Sequence, residues 1–361
     1  MNVVIVTPWY EEMRTPAGLY AAHLAAALSQ RGHRVDVIAR QAPAARPRHE
    51  THGPLTLHRL GVRRHSPPPA FAVAAARRLH ELAEATDRLA VECIDAPWCW
   101  LGAAALRRSP GFEKLQLGWV TVDPDADPEL IARLADRRTI APRRVVDGET
   151  VPVAPLDRSL LNLHSAGLGD LPPRCLVGCD ATSPARRSLL TAGFKASSAY
   201  AAGWSLALPG IDGRWAILPG KGGTTSASDD EPRAPVTVTL GRGLPILAAT
   251  ALASGCPATL SPRNVWSPLL RVIDESLILD PADSASLGRS LDALVCLNPI
   301  ERSSVARRCL TALEPAFDPE AVVKKFERTW TRPRRSRPVP DRWRAWSRLQ
   351  RRLEAEGLRF E

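Results

Sequence analysis

Few residues of this sequence combine a reactive side chain with a position that favours catalysis, and His164 is the best of them. It directly follows the apolar run Leu160–Leu163, which predicts a buried strand. A histidine at a strand end can act as a base, because imidazole titrates near neutral pH. A histidine that only caps a loop fits the same position. We therefore predict His164 as the catalytic candidate and keep the structural role as the alternative.

Gly18 and Arg14 occupy the turn between a predicted first strand and a predicted first helix. Phosphates often bind at such turns, through backbone N–H groups at the helix start and a nearby cation. Gly18 lets the backbone approach a ligand closely, and Arg14 can add a positive charge. An ordinary strand–helix turn accounts for both residues equally well.

The elements that must position these residues alternate between strands and helices. Val3–Thr7 predicts a strand, Gly18–Gln30 a helix that ends at Gly32, and Arg34–Ala39 a second strand. This βαβ unit predicts an α/β fold with a parallel sheet covered by helices. Further strands are predicted at Leu55–Leu60, Ala90–Ile94, Leu115–Val122, Cys175–Val177, Pro257–Leu260 and Leu277–Leu279. Further helices are predicted at Pro69–Arg88, Pro97–Arg108, Ser183–Ala192, Ile246–Ser254, Ser284–Leu297, Glu301–Leu313 and Pro319–Trp330.

The length of 361 residues, 45% of them hydrophobic, predicts two domains. Residues 208–235 are rich in Gly, Pro, Ser and Thr, which is typical of a flexible linker. The predicted organisation is a first domain at 1–207, this linker, a second domain at 236–331 and a tail at 332–361.

The tail carries much of the net charge of +10, with nine arginines and one acid between Arg332 and Arg352. Trp343, Trp346, Leu349 and Leu353 recur at helical spacing. Such a basic amphipathic helix can lie on an anionic membrane, dock on a protein partner or bind nucleic acid without sequence specificity. A helix packed on its own domain is an equally good interpretation, and nucleic acid is the partner we expect least.

The cysteine pattern and the hydropathy point to the cytoplasm. The seven cysteines are odd in number and form no CxxC pair, so we expect free thiols and no metal site. The start at Met1 has no basic leader region, and no run of 18 apolar residues occurs. We therefore expect a cytoplasmic protein, with attachment to the inner face of the membrane through the tail as an option.

Seven segments follow one another in the order found in one enzyme family. They are Val3–Val37, Glu92–Trp98, Asn162–Ser165, Val177–Ser183, Leu208–Asp212, Ala251–Pro257 and Leu279–Asp283. In this order they resemble the glycosyltransferases of family 4, which have the GT-B fold of two facing Rossmann-like domains. The opening βαβ unit and Ala251–Pro257 are the most specific matches.

This resemblance implies a function and places several residues. The implied reaction is the transfer of a hexosyl group from a nucleoside diphosphate sugar to an unknown acceptor. It would retain the anomeric configuration and need neither a metal nor another cofactor. Asp95 and Trp98 would line the acceptor pocket, with the indole stacked on a sugar face. Burial of Trp98 in the core fits the sequence equally well.

The second domain departs from the family pattern at the residues that bind the sugar nucleotide. The family's two sugar- and ribose-binding glutamates fall at Arg242 and Thr250, which are not acidic. Only about 30 residues separate Asp212 from Leu244, where the family has several strands and helices. We therefore expect a reduced donor domain. The alternative function is a catalytically inactive pseudo-glycosyltransferase that acts as partner or activator of an active enzyme. A membrane- or nucleic-acid-associated binding protein is a third option.

Overall fold

The computed structural model describes most of the chain. The described residues are 1–8, 10, 15–40, 49–62, 68–86, 88–107, 112, 115–122, 138–139, 142–146, 148–164, 174–179, 184–209, 215–222 and 236–331. Arg14 and the tail at 332–361 lie outside them, so the predictions about both stay predictions.

The first sheet is built from strands between residues 2 and 139. Its strands are β1 (Asn2–Val6), β2 (Arg34–Arg40), β3 (His49–His52), β4 (Leu55–Leu60), β5 (Leu89–Ile94), β6 (Gln116–Val120) and β7 (Arg138–Thr139). They lie in the order β3-β4-β2-β1-β5-β6-β7, and only the β3–β4 pair is antiparallel. Helices α1 (Pro16–Gln30), α2 (Pro68–Glu84) and α3 (Pro97–Leu106) follow β1, β4 and β5. The central strands are buried, as expected of parallel strands with both faces covered.

A hairpin and a short helix connect the two sheets. The hairpin consists of β8 (Arg143–Val146) and β9 (Glu149–Pro152), and the helix is α4 (Arg158–His164). The strand predicted at Leu160–Leu163 is therefore wrong. Asp157 accepts a hydrogen bond of 2.8 Å from the backbone N–H of Ser159, as a helix N-cap does, and this favours the helical conformation.

The second sheet starts earlier in the chain than the sequence indicated. Its strands are β10 (Cys175–Gly178), β11 (Ser205–Pro209), β12 (Trp215–Leu218), β13 (Val236–Thr239) and β14 (Ala258–Leu260). They lie in the order β12-β11-β10-β13-β14, with only β12 antiparallel. The helices of this half are α5 (Pro184–Ala196), α6 (Ser198–Ala201), α7 (Ile246–Ala253), α8 (Ser267–Arg271), α9 (Ser284–Val295), α10 (Pro299–Leu313) and α11 (Pro319–Thr331).

This topology corrects the predicted domain boundary. β10 pairs with β13 through Leu176 and Val236, so residues assigned to the first domain form the centre of the second sheet. Residues 208–235 also do more than link, because β12 within them is the edge strand of that sheet. The second domain therefore extends well before residue 236. The strand predicted at Leu277–Leu279 is a 3₁₀ turn at Glu275–Leu277 followed by a single bridge from Ile278 to Leu260.

Helix α11 returns to the first sheet. The indole Nε1 of Trp330 donates a hydrogen bond of 2.7 Å to Oε1 of Glu92, whose side chain is fully buried in β5. Gly118 on β6 makes room for this carboxylate, since a Cβ there would lie 2.0 Å from Glu92 Oε2. Glu327 adds a contact of 2.9 Å with His33. We call this set of contacts the clasp.

The two halves share one hydrophobic core, which includes Val3 of β1, Leu176 of β10 and Phe326 of α11. Backbone and side-chain bonds also join them, including Ala154 N–H to the Ala316 carbonyl at 2.9 Å and Trp266 Nε1 to the Pro152 carbonyl at 2.8 Å. Within the described residues, none of the helices combines the length and apolar character needed to span a bilayer.

Candidate functional site

A cleft lies where the carboxyl ends of strands from both sheets meet. Val122 follows β6 of the first sheet, Cys179 follows β10 of the second, and Thr239 ends β13. Pro16 at the start of α1 and residues 243–247 at the start of α7 complete the wall. Ligands of open α/β sheets bind at this kind of position, outside the carboxyl ends of the strands.

The amino terminus of α7 faces this cleft. Pro245 precedes the helix and provides no side-chain cap, and the first turn contains no acid. The N–H of Ile246 is bonded to the Leu244 carbonyl, whereas the N–H groups of Leu247 and Ala248 have no partner among the described residues. Free N–H groups and the positive end of the helix dipole favour an anion here.

Thr239 adds a second unsatisfied donor to the same wall. The residue is only 2% exposed, and its Oγ1 has no hydrogen-bond partner among the described residues. Leaving a buried hydroxyl unsatisfied costs about 1–3 kcal/mol. A ligand oxygen in the cleft would remove this cost.

Hydrogen bonds from Asn264 and to Val122 help to hold the loop between β13 and α7 in place. The amide Nδ2 of Asn264 donates to the carbonyls of Gly241 and Gly243, at 2.9 Å each. The N–H of Leu244 donates to the carbonyl of Val122 at 3.1 Å, which ties the loop to the first sheet. Arg242 lies between the two clamped glycines and is exposed beside the cleft.

The structure gives Gly18 a different role from the predicted one. Its backbone N–H donates a 3.0 Å hydrogen bond to Oγ1 of Thr15, the N-cap residue of α1. That bond occupies the group that would have bound a phosphate. Pro16 of the same turn lines the cleft instead.

Asp95 and Trp98 lie just beyond β5 but differ in their surroundings. Asp95 has an unusual positive φ of 43°, and its Oδ1 accepts a 2.9 Å bond from the N–H of Val122. Asp95 therefore supports the cleft wall through Val122. Trp98 is half-buried and packs against the second face of the first sheet, so part of its ring belongs to the core.

Of the two positions aligned with family glutamates, the structure brings only Arg242 to the cleft edge. Thr250 is 2% exposed, lies on the second turn of α7, and donates its hydroxyl to the Ile246 carbonyl at 2.9 Å. Its hydroxyl proton therefore serves its own helix. His164 is the last residue of α4, and its side chain lies outside the described residues.

Tyr20 and Asp157 both have pKa values shifted from their ordinary range. Tyr20 of α1 is fully buried, and this burial, followed by the charges of Glu92 and Asp95, raises the pKa of its phenol. Hydrogen bonds from Ser159 lower the pKa of Asp157 at the start of α4. Among the described residues that line the cleft, none is an acid or a histidine. The described part of the chain also contains no His, Cys, Asp and Glu cluster that could hold a metal ion.

Sequence reasoning missed the residues that build this wall. Thr239 is part of a Val-Thr-Val-Thr strand, and only its position at the end of this strand could have indicated that it lines a binding site. Such a residue can be recognised only when strand end and loop are placed correctly. Asn264 lacks even this signal, because it reaches the Gly241 carbonyl across 23 residues.

Comparison with solved structures identifies the fold. Sucrose-phosphate synthase from Thermosynechococcus elongatus superposes with a TM-score of 0.57 at 12% identity, covering 91% of this chain and 98% of that one. A UDP-forming trehalose-phosphate synthase from Burkholderia xenovorans gives a TM-score of 0.51 at 12% identity, with the same coverage. The family model described as a glycosyl transferase 4-like domain matches residues 17–113. This chain has the GT-B fold, and its residues 17–113 are similar to a glycosyl transferase 4-like domain.

The matched segment of this GT-B protein begins in α1 and extends beyond the end of α3, within the first domain. The structural likeness extends over both halves, which agrees with the second sheet described above. A search of curated protein sequences finds no match.

Proposed function

We propose that this GT-B protein is a glycosyltransferase that binds a nucleoside diphosphate sugar in the cleft. The observation that carries the proposal is the uncapped start of α7, where two N–H groups and the buried hydroxyl of Thr239 have no partner within the described part of the chain. A diphosphate is the part of such a donor that needs these groups. The proposed activity transfers the hexosyl group to an acceptor bound over the first sheet.

The proposed chemistry follows from the groups that the wall supplies. The bond between the anomeric carbon and the diphosphate oxygen breaks, and a bond from an acceptor oxygen to that carbon forms. The acceptor proton passes to the departing phosphate oxygen. N–H groups fixed in place before the reaction stabilise the negative charge that develops on this oxygen. Since the described wall has no base, the leaving group itself accepts the proton.

A second candidate function is a binding partner without catalysis. It is favoured by Thr250, whose hydroxyl is bonded within its own helix, and by the lack of an acid or histidine among the described cleft residues. Such a protein would keep the nucleotide site or the acceptor surface and would act on another glycosyltransferase.

The test is calorimetric titration with UDP, GDP, ADP and TDP and with their glucose derivatives, followed by assays for release of nucleoside diphosphate. A ligand at about 100 times its dissociation constant should stabilise the fold by roughly 2.7 kcal/mol. Binding with turnover supports the enzyme, and binding without turnover supports the partner. Absence of binding in a cooperatively folded protein contradicts the proposed nucleotide site.

A matched pair of variants tests the site itself. Thr239→Val removes the unsatisfied hydroxyl without changing the side-chain shape, and we expect about tenfold weaker nucleotide binding. Thr259→Val is the control, because Thr259 is equally buried on the adjacent strand β14 and does not line the cleft. Equal effects of both substitutions would place the nucleotide elsewhere.

A further inference from the structure

Asp95 contacts the chain at the end of strand β6 through two hydrogen bonds. Its backbone N–H donates a 3.0 Å bond to the carbonyl of Val120, and its Oδ1 accepts a 2.9 Å bond from the N–H of Val122. Its backbone has a left-handed φ of 43°, a conformation that is unfavourable for a residue with a Cβ and persists where the surroundings hold it. Asp95 is therefore fixed at the carboxyl end of the first sheet.

The bond from Val122 to Asp95 is the first of three bonds that lead from the first sheet to helix α7. The carbonyl of Val122 accepts a 3.1 Å bond from the N–H of Leu244, and the carbonyl of Leu244 accepts a 2.9 Å bond from the N–H of Ile246. Val122, Leu244 and Ile246 all line the cleft. One chain of hydrogen bonds therefore joins a carboxylate of the first domain to the first residue of α7.

The three bonds of this chain point in the same direction. Each peptide group donates towards Asp95 and accepts from the side of α7, so the bonds polarise one another, and a charged acceptor makes its own bond about twice as strong as a neutral one. Val122 is only 1% exposed and Leu244 only 8%, so water competes little for these groups. The carboxylate of Asp95 therefore orients the loop that leads into α7.

The orientation of this loop matters for the nucleotide site. The N–H groups at the start of α7 and the hydroxyl of Thr239 can bind a diphosphate only when they are held at hydrogen-bonding distance from it. Resting on the function proposed above, we infer that Asp95 is a positioning residue of the nucleotide site and acts through Val122 and Leu244 on the start of α7. The first domain thereby controls the affinity of a site that the second domain supplies.

The experiment repeats the calorimetric titrations with UDP, GDP, ADP and TDP on two variants of Asp95. Asp95→Gly removes the acceptor and fits the left-handed φ, and we expect it to bind nucleoside diphosphate about tenfold more weakly than the wild-type chain. Asp95→Asn keeps an Oδ1 acceptor and tolerates the same φ, so its affinity should stay within about threefold of wild type.

Asn2→Ala is the matched control. The side-chain amide of Asn2 donates a 3.0 Å bond to Oγ1 of Thr86, at the amino-terminal edge of the same sheet. Its loss should leave nucleotide affinity unchanged, because this edge lies opposite the carboxyl ends of the parallel strands. A residue that only stabilised the first sheet would behave like Asn2 and would change the free energy of unfolding alone.

A second measurement uses the wild-type chain and does not depend on how the variants fold. Bound nucleotide should slow amide hydrogen exchange at Val122 and Leu244 together with the start of α7, because coupling between two sites is reciprocal. Unchanged exchange at Val122, equal affinity of Asp95→Gly and wild type, or equal affinity of the two Asp95 variants overturns this inference and leaves the proposed function standing. If none of the four nucleoside diphosphates binds the wild-type chain, the proposed nucleotide site and this inference are overturned together.

Discussion

The clasp and the cleft each bury a polar side chain, but the Glu92 carboxylate of the clasp has a hydrogen-bond donor, whereas the Thr239 hydroxyl of the cleft has no partner among the described residues. In the clasp, the carboxylate of Glu92 receives the Trp330 indole N–H and occupies the space left by Gly118. In the cleft, the hydroxyl of Thr239 and the N–H groups of Leu247 and Ala248 find no partner among the described residues. The Glu92 carboxylate and the Thr239 hydroxyl are both polar and buried, and they differ in whether a hydrogen-bond partner is present among the described residues.

This difference distinguishes buried polar groups that stabilise the fold from buried polar groups that are available to bind a ligand. A buried charge with partners fixes one arrangement of the chain, and removal of one partner is strongly destabilising. A buried donor without a partner lowers stability in the absence of ligand and is compensated when a ligand binds. Substitutions in the two regions should consequently act in opposite directions on the free energy of unfolding.

The largest effect is expected for Trp330→Ala in the clasp. The substitution leaves the buried Glu92 carboxylate without its indole donor and opens a cavity beneath α11, so we expect a loss of about 3–5 kcal/mol. Urea unfolding followed by circular dichroism measures it. Lys325→Ala on the exposed face of α11 is the control and should change stability by about 0.5 kcal/mol or less. Similar values for both variants would show that the clasp does not hold the helix.

A smaller loss is expected for Gly118→Ala. The added Cβ would lie 2.0 Å from Oε2 of Glu92, so the carboxylate must shift, and we expect a loss of about 1–3 kcal/mol. Gly102→Ala in α3 provides the comparison, because its nearest neighbours lie at 3.4 Å. Thermal unfolding of both variants measures the difference. An unchanged midpoint for Gly118→Ala would contradict the burial of Glu92 against β6.

The smallest effect, with the opposite sign, is expected for Thr239→Val without ligand. Loss of an unsatisfied buried hydroxyl should raise the free energy of unfolding by about 1 kcal/mol. Thr237→Val on the same strand removes a hydroxyl bonded to the Pro257 carbonyl at 3.2 Å and should lower it by a similar amount. Denaturant unfolding of the two variants gives both signs. Destabilisation by Thr239→Val would mean that its hydroxyl is already satisfied.

The sequence determined the local elements where a short stretch carried the whole signal. The first βαβ unit is confirmed, since β1, α1 and β2 match the predicted segments and Gly32 ends α1 with a φ of 86°. The α/β class and the GT-B fold are also confirmed. These features depend on apolar periodicity, on a glycine at a helix end, and on ordered motifs.

Tertiary structure decided which strand pairs with which, and therefore where the domains divide. Cys175–Gly178 is a buried apolar strand that would fit either sheet, and only its pairing with β11 and β13 assigns it to the second. Leu160–Leu163 is apolar enough for a strand but is helical. Asp157, at the start of this helix, accepts a hydrogen bond from the backbone N–H of Ser159 and so favours the helix. A short apolar run in the sequence does not show which neighbouring strand it will pair with.

The same limit applies to the candidate site. The types of Arg242 and Thr250 could be evaluated from the sequence, but only the fold shows that one lies at the cleft edge and that the other is bonded to its own helix. The partner of Glu92 is 238 residues away. The sequence by itself determined the fold class and the order of most elements, because periodicity acts over neighbouring residues. Tertiary structure decided which buried polar groups are satisfied, because that depends on residues brought together from distant parts of the chain.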